Sequence, residues 1–307
     1  MVKYSKIAGL VVFVFLFAMC NQKSKNEADS ETILKGSIDI TVDETIKPIV
    51  EDMIAVFEGT YYGAKISIKP KSEAELVNDL LNQKAKVVVM TRDLTQEERD
   101  RFAKSKINPR VTPFAKDAIA FVTNKSNKDT LIALKTVIDF LQGKSGSGIK
   151  GLVFDNPNSS TVRYMKELAH VKDIPSSNVF SFKTNGEVIK FVSENDGMIG
   201  VVGVDWLYQP SPDMLDIIKK INVMSVKGIN GDKYYDPTQN DLGEMKYPLA
   251  RDLFIVNCQG YTGLGMGFAS FISGDIGQRI VLKSGLLPVR TPGRNLKIRN
   301  QIINDKE

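Results

Sequence analysis

Residues 153–164 read VFDNPNSSTVRY, and the fold of the chain is decided by how this stretch is taken. Two apolar residues, Val153 and Phe154, end a strand and run into a polar turn. The turn delivers Ser159, Ser160 and Thr161 to the start of an amphipathic helix, TVRYMKELAHV. A helix start carries backbone N–H groups without intrahelical partners and a partial positive charge, so it can receive an anion. Ser and Thr are also the usual N-cap residues. Taken alone, the junction is open to both readings.

Working outward, the same strand–turn–helix unit recurs. On the N-terminal side, 33–42 reads as a strand, 46–61 as a helix stopping at Gly59, 64–70 as a strand and 73–84 as a helix. Residues 87–90 (VVVM) form an all-apolar strand of the kind buried in parallel sheets, and 95–105 is a helix opening on Thr95 and Glu98 in capping-box spacing. A second series follows: strand 117–124, helix 131–143, strand 151–154, the SST helix, helix 187–195, strand 197–204 and a strand over 221–228. Residues 229–246 read as loop, 251–257 as strand and 265–285 as mostly helix. This alternation predicts an α/β protein with parallel sheets flanked by helices. Two successive series predict two lobes, 34–115 with 248–307 and 116–247, with crossovers near 115–117 and 247–250.

Three strand–helix junctions carry polar turns: Asp43-Glu44-Thr45, Thr91-Arg92-Asp93 and Ser159-Ser160-Thr161. Ligands of open α/β sheets lie beyond the carboxyl ends of strands, so facing lobes would bring the three junctions to one cleft. Arg92 and Arg163 are the candidate cations, since a guanidinium fork suits a tetrahedral oxyanion. Asp43, Glu44 and Asp93 oppose an anion unless one of them accepts a proton from it. Such an acceptor favours hydrogen phosphate over sulfate, which has no proton to give. Asp43 as a plain helix cap is the competing reading.

The N-terminus carries Lys3 and Lys6, an unbroken apolar run over 7–19, and Cys20. The run is short for a membrane span and fits a signal peptide, 1–19. Cys20 resembles the lipid-attachment cysteine of bacterial lipoproteins, although Met19 replaces the usual small residue before it. Residues 20–33 then read as a polar tether. Loss of Lys3 and Lys6 lowers the formal charge by two from +5, too mild for a nucleic-acid binder. Cys258 is the one other cysteine, so an internal disulfide is not expected. A single histidine, His170, disfavours a histidine triad or a multi-histidine metal site and reads as a surface helix residue.

Other lures fail on spacing. Gly143-Lys144-Ser145 lacks the upstream glycine of a phosphate-binding P-loop. Gly263, Gly265 and Gly267 do not make a dinucleotide fingerprint, and no G-x-S-x-G nucleophile elbow exists. Trp206 and Tyr208 follow a buried strand and read as packing residues. Binding rather than catalysis is expected, with no cofactor or metal.

In their order, KPIVEDMIAVFEGTYYGAKI (47–66), VVVMTRDLTQEE (87–98), AKDAIAFVTNKSN (115–127), VIDFLQGK (137–144), FDNPNSSTVRY (154–164), MIGVVGVDWL (198–207), YPLARDLFIV (247–256) and GFASFISGDIGQRIVLKSGLLP (267–288) resemble one family. This is the family of phosphate-binding proteins of bacterial phosphate ABC transporters, in its Bacteroidetes-type lipoprotein form. The resemblance spans roughly residues 34–295. It implies a two-lobed, type II periplasmic-binding-protein-like α/β fold, with two mixed, mostly parallel sheets joined by two crossovers. The family's Ser-Gly-Thr anion loop is similar to Ser159-Ser160-Thr161, with Ser160 in place of glycine. Its first loop corresponds to Asp43, Glu44 and Thr45, and its Ser-Asp or Ser-Arg pair to Thr91-Arg92. A family arginine just upstream of the anion loop appears as Asp155. The resemblance implies that Thr45, Ser159, Ser160 and Thr161 donate to phosphate and that Asp43 accepts its proton. Arg92 or Arg163 supplies the charge that Asp155 removes. The implied partners are phosphate, an ABC permease with its ATPase, and a membrane reached through lipid on Cys20. An exported, periplasmic or membrane-anchored monomer is expected. The same fold holding a different oxyanion, or a surface lipoprotein that has lost its ligand, are the competing readings.

Overall fold

The computed structural model describes residues 31–144, 146 and 148–293. The expected signal segment, Cys20 and the tether up to residue 30 lie outside the described residues. The chain begins with β1 (Gly36–Asp43), a 3-10 turn (Glu44–Ile46) and α1 (Lys47–Thr60). Next come β2 (Ala64–Lys71), α2 (Glu73–Leu81), β3 (Val87–Met90) and α3 (Gln96–Lys104). They are followed by β4 (Arg110–Asn124), β5 (Leu131–Ala133), α4 (Leu134–Leu141), β6 (Gly151–Phe154) and α5 (Ser160–Ala169). Then come β7 (Val179–Ser181), α6 (Asn185–Glu194), β8 (Met198–Gly203), α7 (Asp205–Tyr208) and α8 (Leu215–Ile218). The remainder is β9 (Ile221–Val223), β10 (Ser225–Lys227), β11 (Tyr234–Tyr235), α9 (Gln239–Gly243), β12 (Ala250–Asn257), α10 (Leu264–Ser273), α11 (Asp275–Lys283) and β13 (Leu287–Pro288).

The strands run β2-β1-β3-β12-β4-β8-β6-β7. In the first sheet, β1 is parallel to β2 and β3, while β12 runs antiparallel to β3 and β4. In the second, β4 is antiparallel to β8, and β8, β6 and β7 are parallel. The long strand β4 belongs to both: its first half pairs with β12 and residues 119–123 with β8. The passage back to the first sheet is fixed where Ile119 N–H donates to the Leu249 carbonyl at 2.9 Å.

Both faces of each sheet are covered, which is why the strands read as near-continuous apolar runs. On one face of the first sheet, Ile38, Ile40, Val42, Val89 and Ile255 pack on Met53 and Phe57 of α1 and Phe268 of α10. On the other, Val88, Met90 and Val256 meet Leu76 and Leu80 of α2 and Phe102 of α3. In the second sheet, Phe121, Leu152, Phe154 and Val201 face Val137 of α4 and Met165 of α5. Ala120, Val122, Val153 and Val202 face Val188, Ile189 and Val192 of α6. The alternation follows the period of two of a strand.

Several boundaries differ from the sequence reading. The strand expected over 117–124 begins at Arg110. Pro113 hides the first half, because proline cannot donate to a ladder. A bulge accommodates it: Leu253 pairs with Ala115 but Phe254 with Pro113, so Phe114 is the extra residue. The helix expected over 131–143 is β5 followed by α4, and the run 265–285 breaks at Gly274 into α10 and α11. The strand expected over 221–228 splits at Met224, whose N–H donates to Phe121, leaving β9 on β4 and β10 on β5. The stretch read as loop, 229–246, contains β11 and α9. His170 is exposed, as read, and ends α5 in the left-handed conformation at φ 52°.

Candidate functional site

The site grows from two helix starts that face each other. After β1, the Asp43 carboxylate turns back on its own loop. Its Oδ1 accepts from Thr45 N–H and from the Thr45 hydroxyl, both at 3.0 Å. This is the local Asx geometry that short acidic side chains favour before a helix. After β6, the Ser159 hydroxyl caps α5 by accepting from Val162 N–H at 3.3 Å. Both loops are buried: Asp43, Thr45, Ser160 and Thr161 are at 0% exposure and Ser159 at 2%. They meet directly, Thr45 Oγ1 lying 3.0 Å from Ser160 Oγ.

A cation enters this contact from a position that sequence reading did not nominate. Arg251 of β12 is 3% exposed and donates from Nη1 to Ser160 Oγ at 3.1 Å. Its Nε and Nη2 fork onto Asp117 of β4 at 3.0 and 2.6 Å, and the two residues are direct cross-strand partners. Burial works against the Arg251 charge, but Asp117 and Asp43 hold it firmly protonated. The fork is satisfied by Asp117, so Nη1 is the donor directed at the hydroxyl pair.

Acidic groups surround the rest. Asp155 Oδ1 accepts from the Ser159 hydroxyl at 2.6 Å and from the Thr161 hydroxyl. Asn185, at the start of α6, donates from Nδ2 to Glu44 at 2.7 Å and to Asp155 Oδ2 at 3.2 Å. Its N–H also faces both Glu44 oxygens, and its Oδ1 accepts from Gly203 N–H at 2.9 Å. Trp206 Nε1 donates to the Glu44 carbonyl at 3.3 Å, a structural role in keeping with its reading as a packing residue. Burial pushes the Asp43 carboxyl up to about 7, helped by the nearby Glu73 charge. Burial pushes Glu44 up to about 8 despite the Asn185 bond, and raises Asp155 as well. Among the described residues two buried side-chain oxygens have no partner, Asp43 Oδ2 and Asp205 Oδ1. The first belongs to this cluster. Asp205 starts α7 and accepts from Ile49 N–H at 2.6 Å through its other oxygen.

Asp43, Glu44, Thr45, Ser159, Ser160 and Thr161 are therefore brought together. Thr91, Arg92 and Arg163 assemble separately, around Glu73 of α2. Thr91 Oγ1 and Arg92 Nε donate to the Glu73 carboxylate at 3.2 Å each, and Arg163 forks onto it through Nε and Nη2. Arg92 is also locked on Glu98 at 2.8 and 2.9 Å. Carboxylates thus engage the forks of both candidate cations, Arg92 and Arg163, and Arg251 stands at the hydroxyl pair. These groups flank an open groove of about 1080 Å³ between α2 and α5, lined by Glu73, Val77, Arg92, Ser159, Arg163 and Lys166 among others. Arg251, Asp117, Asn185, Glu73 and Asp205 escaped sequence reading. The one available signal was a charge inside each of two strands otherwise apolar enough to be buried, Asp117 and Arg251.

The described residues hold no group of three or more metal-ligating acids, histidines or cysteines, and no helix among them is long and apolar enough to cross a membrane. Cys258 is a free, half-buried thiol whose pKa burial pushes up to about 11.

Comparison with known proteins places this architecture. The phosphate-binding protein PstS of Borreliella burgdorferi is 26% identical over 302 residues, 92% of this chain and 99% of that protein. A substrate-binding protein of Clostridium perfringens, assigned to a phosphate ABC transporter and solved with bound phosphate, superposes with a TM-score of 0.69. It is 20% identical, and the match covers 83% of this chain and all of that one. An ABC-type phosphate transport receptor from Vibrio cholerae gives 0.62 at 14% identity, over 82% of this chain and all of that one. The family model described as the PBP superfamily domain matches residues 27–275, and this chain belongs to that family.

Proposed function

We propose that the protein captures phosphate between its two sheets and presents it to an ABC transporter. The observation that carries this reading is the cluster where Thr45 and Ser160 hydroxyls, Arg251 Nη1 and the unpartnered Asp43 Oδ2 converge. Hydroxyls and a guanidinium supply donors for a tetrahedral oxyanion. The α5 N-terminus adds its partial positive charge. A buried carboxylate oxygen without a partner is costly unless something donates to it. Hydrogen phosphate brings that donor, and sulfate does not. Phosphate-binding relatives of the same architecture support the choice of ligand.

The lobes are 34–115 with 248–307 and 116–247, hinged at the strand passages 115–117 and 247–250. Capture is closure of these lobes around the ion, without catalysis. Ser159 and Thr161, engaged with Asp155, back the first contacts, and Glu44 with Asn185 ties the two loops together. The chain acts outside the cytoplasm as a monomer, anchored through lipid on Cys20, with a permease and its ATPase as partners. Mass spectrometry of the cell-derived chain tests the anchor.

Titration calorimetry with phosphate, sulfate and molybdate tests the ligand. Phosphate alone should bind tightly. Sulfate binding of equal strength would remove the proton-acceptor role of Asp43. Failure of all three with an intact fold would favour a surface interaction protein.

A further inference from the structure

We propose that Glu73 is the latch of the cleft, with Arg163 as the catch, and that this ion pair sets how long the lobes stay closed. Glu73 opens α2, which packs on the first sheet, and its residue is 3% exposed. Arg163 lies in the first turn of α5, which packs on the second sheet, and reaches across to grip both Glu73 oxygens. Beside the pair, Ala74 N–H donates to the Asn158 carbonyl at 3.2 Å, a second bond between the same two helix starts. These contacts must break if the lobes part.

The surroundings make this pair reversible. Removing one partner of a buried ion pair is ordinarily costly because the other charge is stranded. Here each end has a substitute on its own side. Glu73 keeps Arg92, which Glu98 holds in place, and Thr91. Arg163 keeps Glu167 one turn along α5, at 2.8 Å. Opening therefore costs the crossing fork and leaves no bare charge behind. The open groove that Glu73, Arg92 and Arg163 line lets water reach them as they separate. Two arginines on one carboxylate have a purpose in this scheme: one stays paired with Glu73, and the other lets go.

The closure device stands on the contacts themselves; its effect on ligand retention rests on the phosphate reading. Glu73→Gln, Arg163→Met, the double variant and a control, Glu167→Gln, test it in the full chain. The first readout is amide hydrogen exchange at Ala74 without ligand, which reports the crossing backbone bond. Exchange should quicken at least tenfold in both single variants, no further in the double variant, and not in the control. The second readout is phosphate dissociation by stopped flow, which should quicken at least tenfold in the same variants. Arg163→Lys should restore part of each effect, since it returns the charge without the fork. Unchanged exchange in the single variants, a double variant showing the product of both effects, or an Ala74 amide unprotected in the parent would overturn the latch. If the parent binds no phosphate, the ligand reading fails while the exchange measurement still decides the latch.

Discussion

Gly203→Ala separates folding from closure. Gly203 ends β8, and a methyl group there would sit 2.5 Å from the Thr45 carbonyl oxygen. Ordinary contacts begin near 3.4 Å, so the two backbones must part by roughly 1 Å, because backbone cannot swing aside as a side-chain tip can. Thr45 belongs to the first sheet's loop and Gly203 to the second sheet, so the displacement falls on the interface between them. It lengthens the Thr45–Ser160 contact, now 3.0 Å, and the Asn185–Glu44 bonds, of which the shortest is 2.7 Å. Losing two or three such bonds at about 1 kcal/mol each weakens phosphate binding by about 2–3 kcal/mol, or some 30- to 150-fold. Neither sheet loses a ladder bond, and alanine suits a strand better than glycine, so the melting temperature should hold or rise slightly. Calorimetry with phosphate, read beside a thermal melt, checks both halves. Binding within threefold of the parent at unchanged stability would refute the assignment of this contact to closure.

Three further outcomes follow from the same cluster. Glu44 holds in the fold, up to about pH 8, a proton that it gives up near 4.5 when free. Stability should therefore be highest below pH 4.5 on this group's account and fall by about 4 kcal/mol between 4.5 and 8, and Glu44→Gln should flatten that slope in urea denaturation at several pH values. Arg251→Met strands the buried Asp117 and should cost about 3–5 kcal/mol of stability; adding Asp117→Asn should recover stability but not phosphate affinity, as melting and calorimetry would read. Asp155→Asn removes the charge that holds the Ser159 and Thr161 hydroxyl protons. Phosphate affinity should rise by about tenfold at pH 8, one charge-assisted bond's worth, and by less as the pH falls, since burial raises the Asp155 pKa; a loss of affinity across the pH range would show that Asp155 supports the ligand.

What could be read from sequence was what lies close in sequence. Asp43 bonds Thr45 two residues on, and Ser159 caps α5 three residues on, so both loops were legible as helix starts. The α/β order was legible because buried strands and amphipathic helices leave different periods. Contacts that join distant segments were not. Arg251 and Asp117 are 134 residues apart, Glu44 and Asn185 are 141 apart, and neither pair leaves a local pattern. Arg92 was a candidate because a guanidinium fork suits an oxyanion, and its place after a buried strand called for a partner. The fold supplies Glu73 and Glu98, each from a helix start beside that strand, which the local sequence could not name. The first half of β4 was not legible either, since a bulge at Phe114 is what lets Pro113 sit within the strand.

The acidic cluster raises the question of how it could hold an anion at all, and its protonation answers it. Asp117 cancels Arg251, and burial keeps Glu44 largely protonated at neutral pH and Asp43 near its midpoint. The cleft is then less negative than its number of acids suggests, with hydroxyls and one guanidinium nitrogen as donors. Such a site has little Coulomb attraction for anions in general, so steering by charge cannot select its ligand. On the proposed reading, selection rests on which anion can both accept from Thr45, Ser160 and Arg251 and donate to Asp43 Oδ2. Where the resemblance placed a positive charge, just before the SST turn, Asp155 stands, and the guanidinium that reaches Ser160 comes from β12 instead. This contact ties the α5 helix start of one sheet to a strand of the other, so the charge reaches Ser160 only when the two sheets are together.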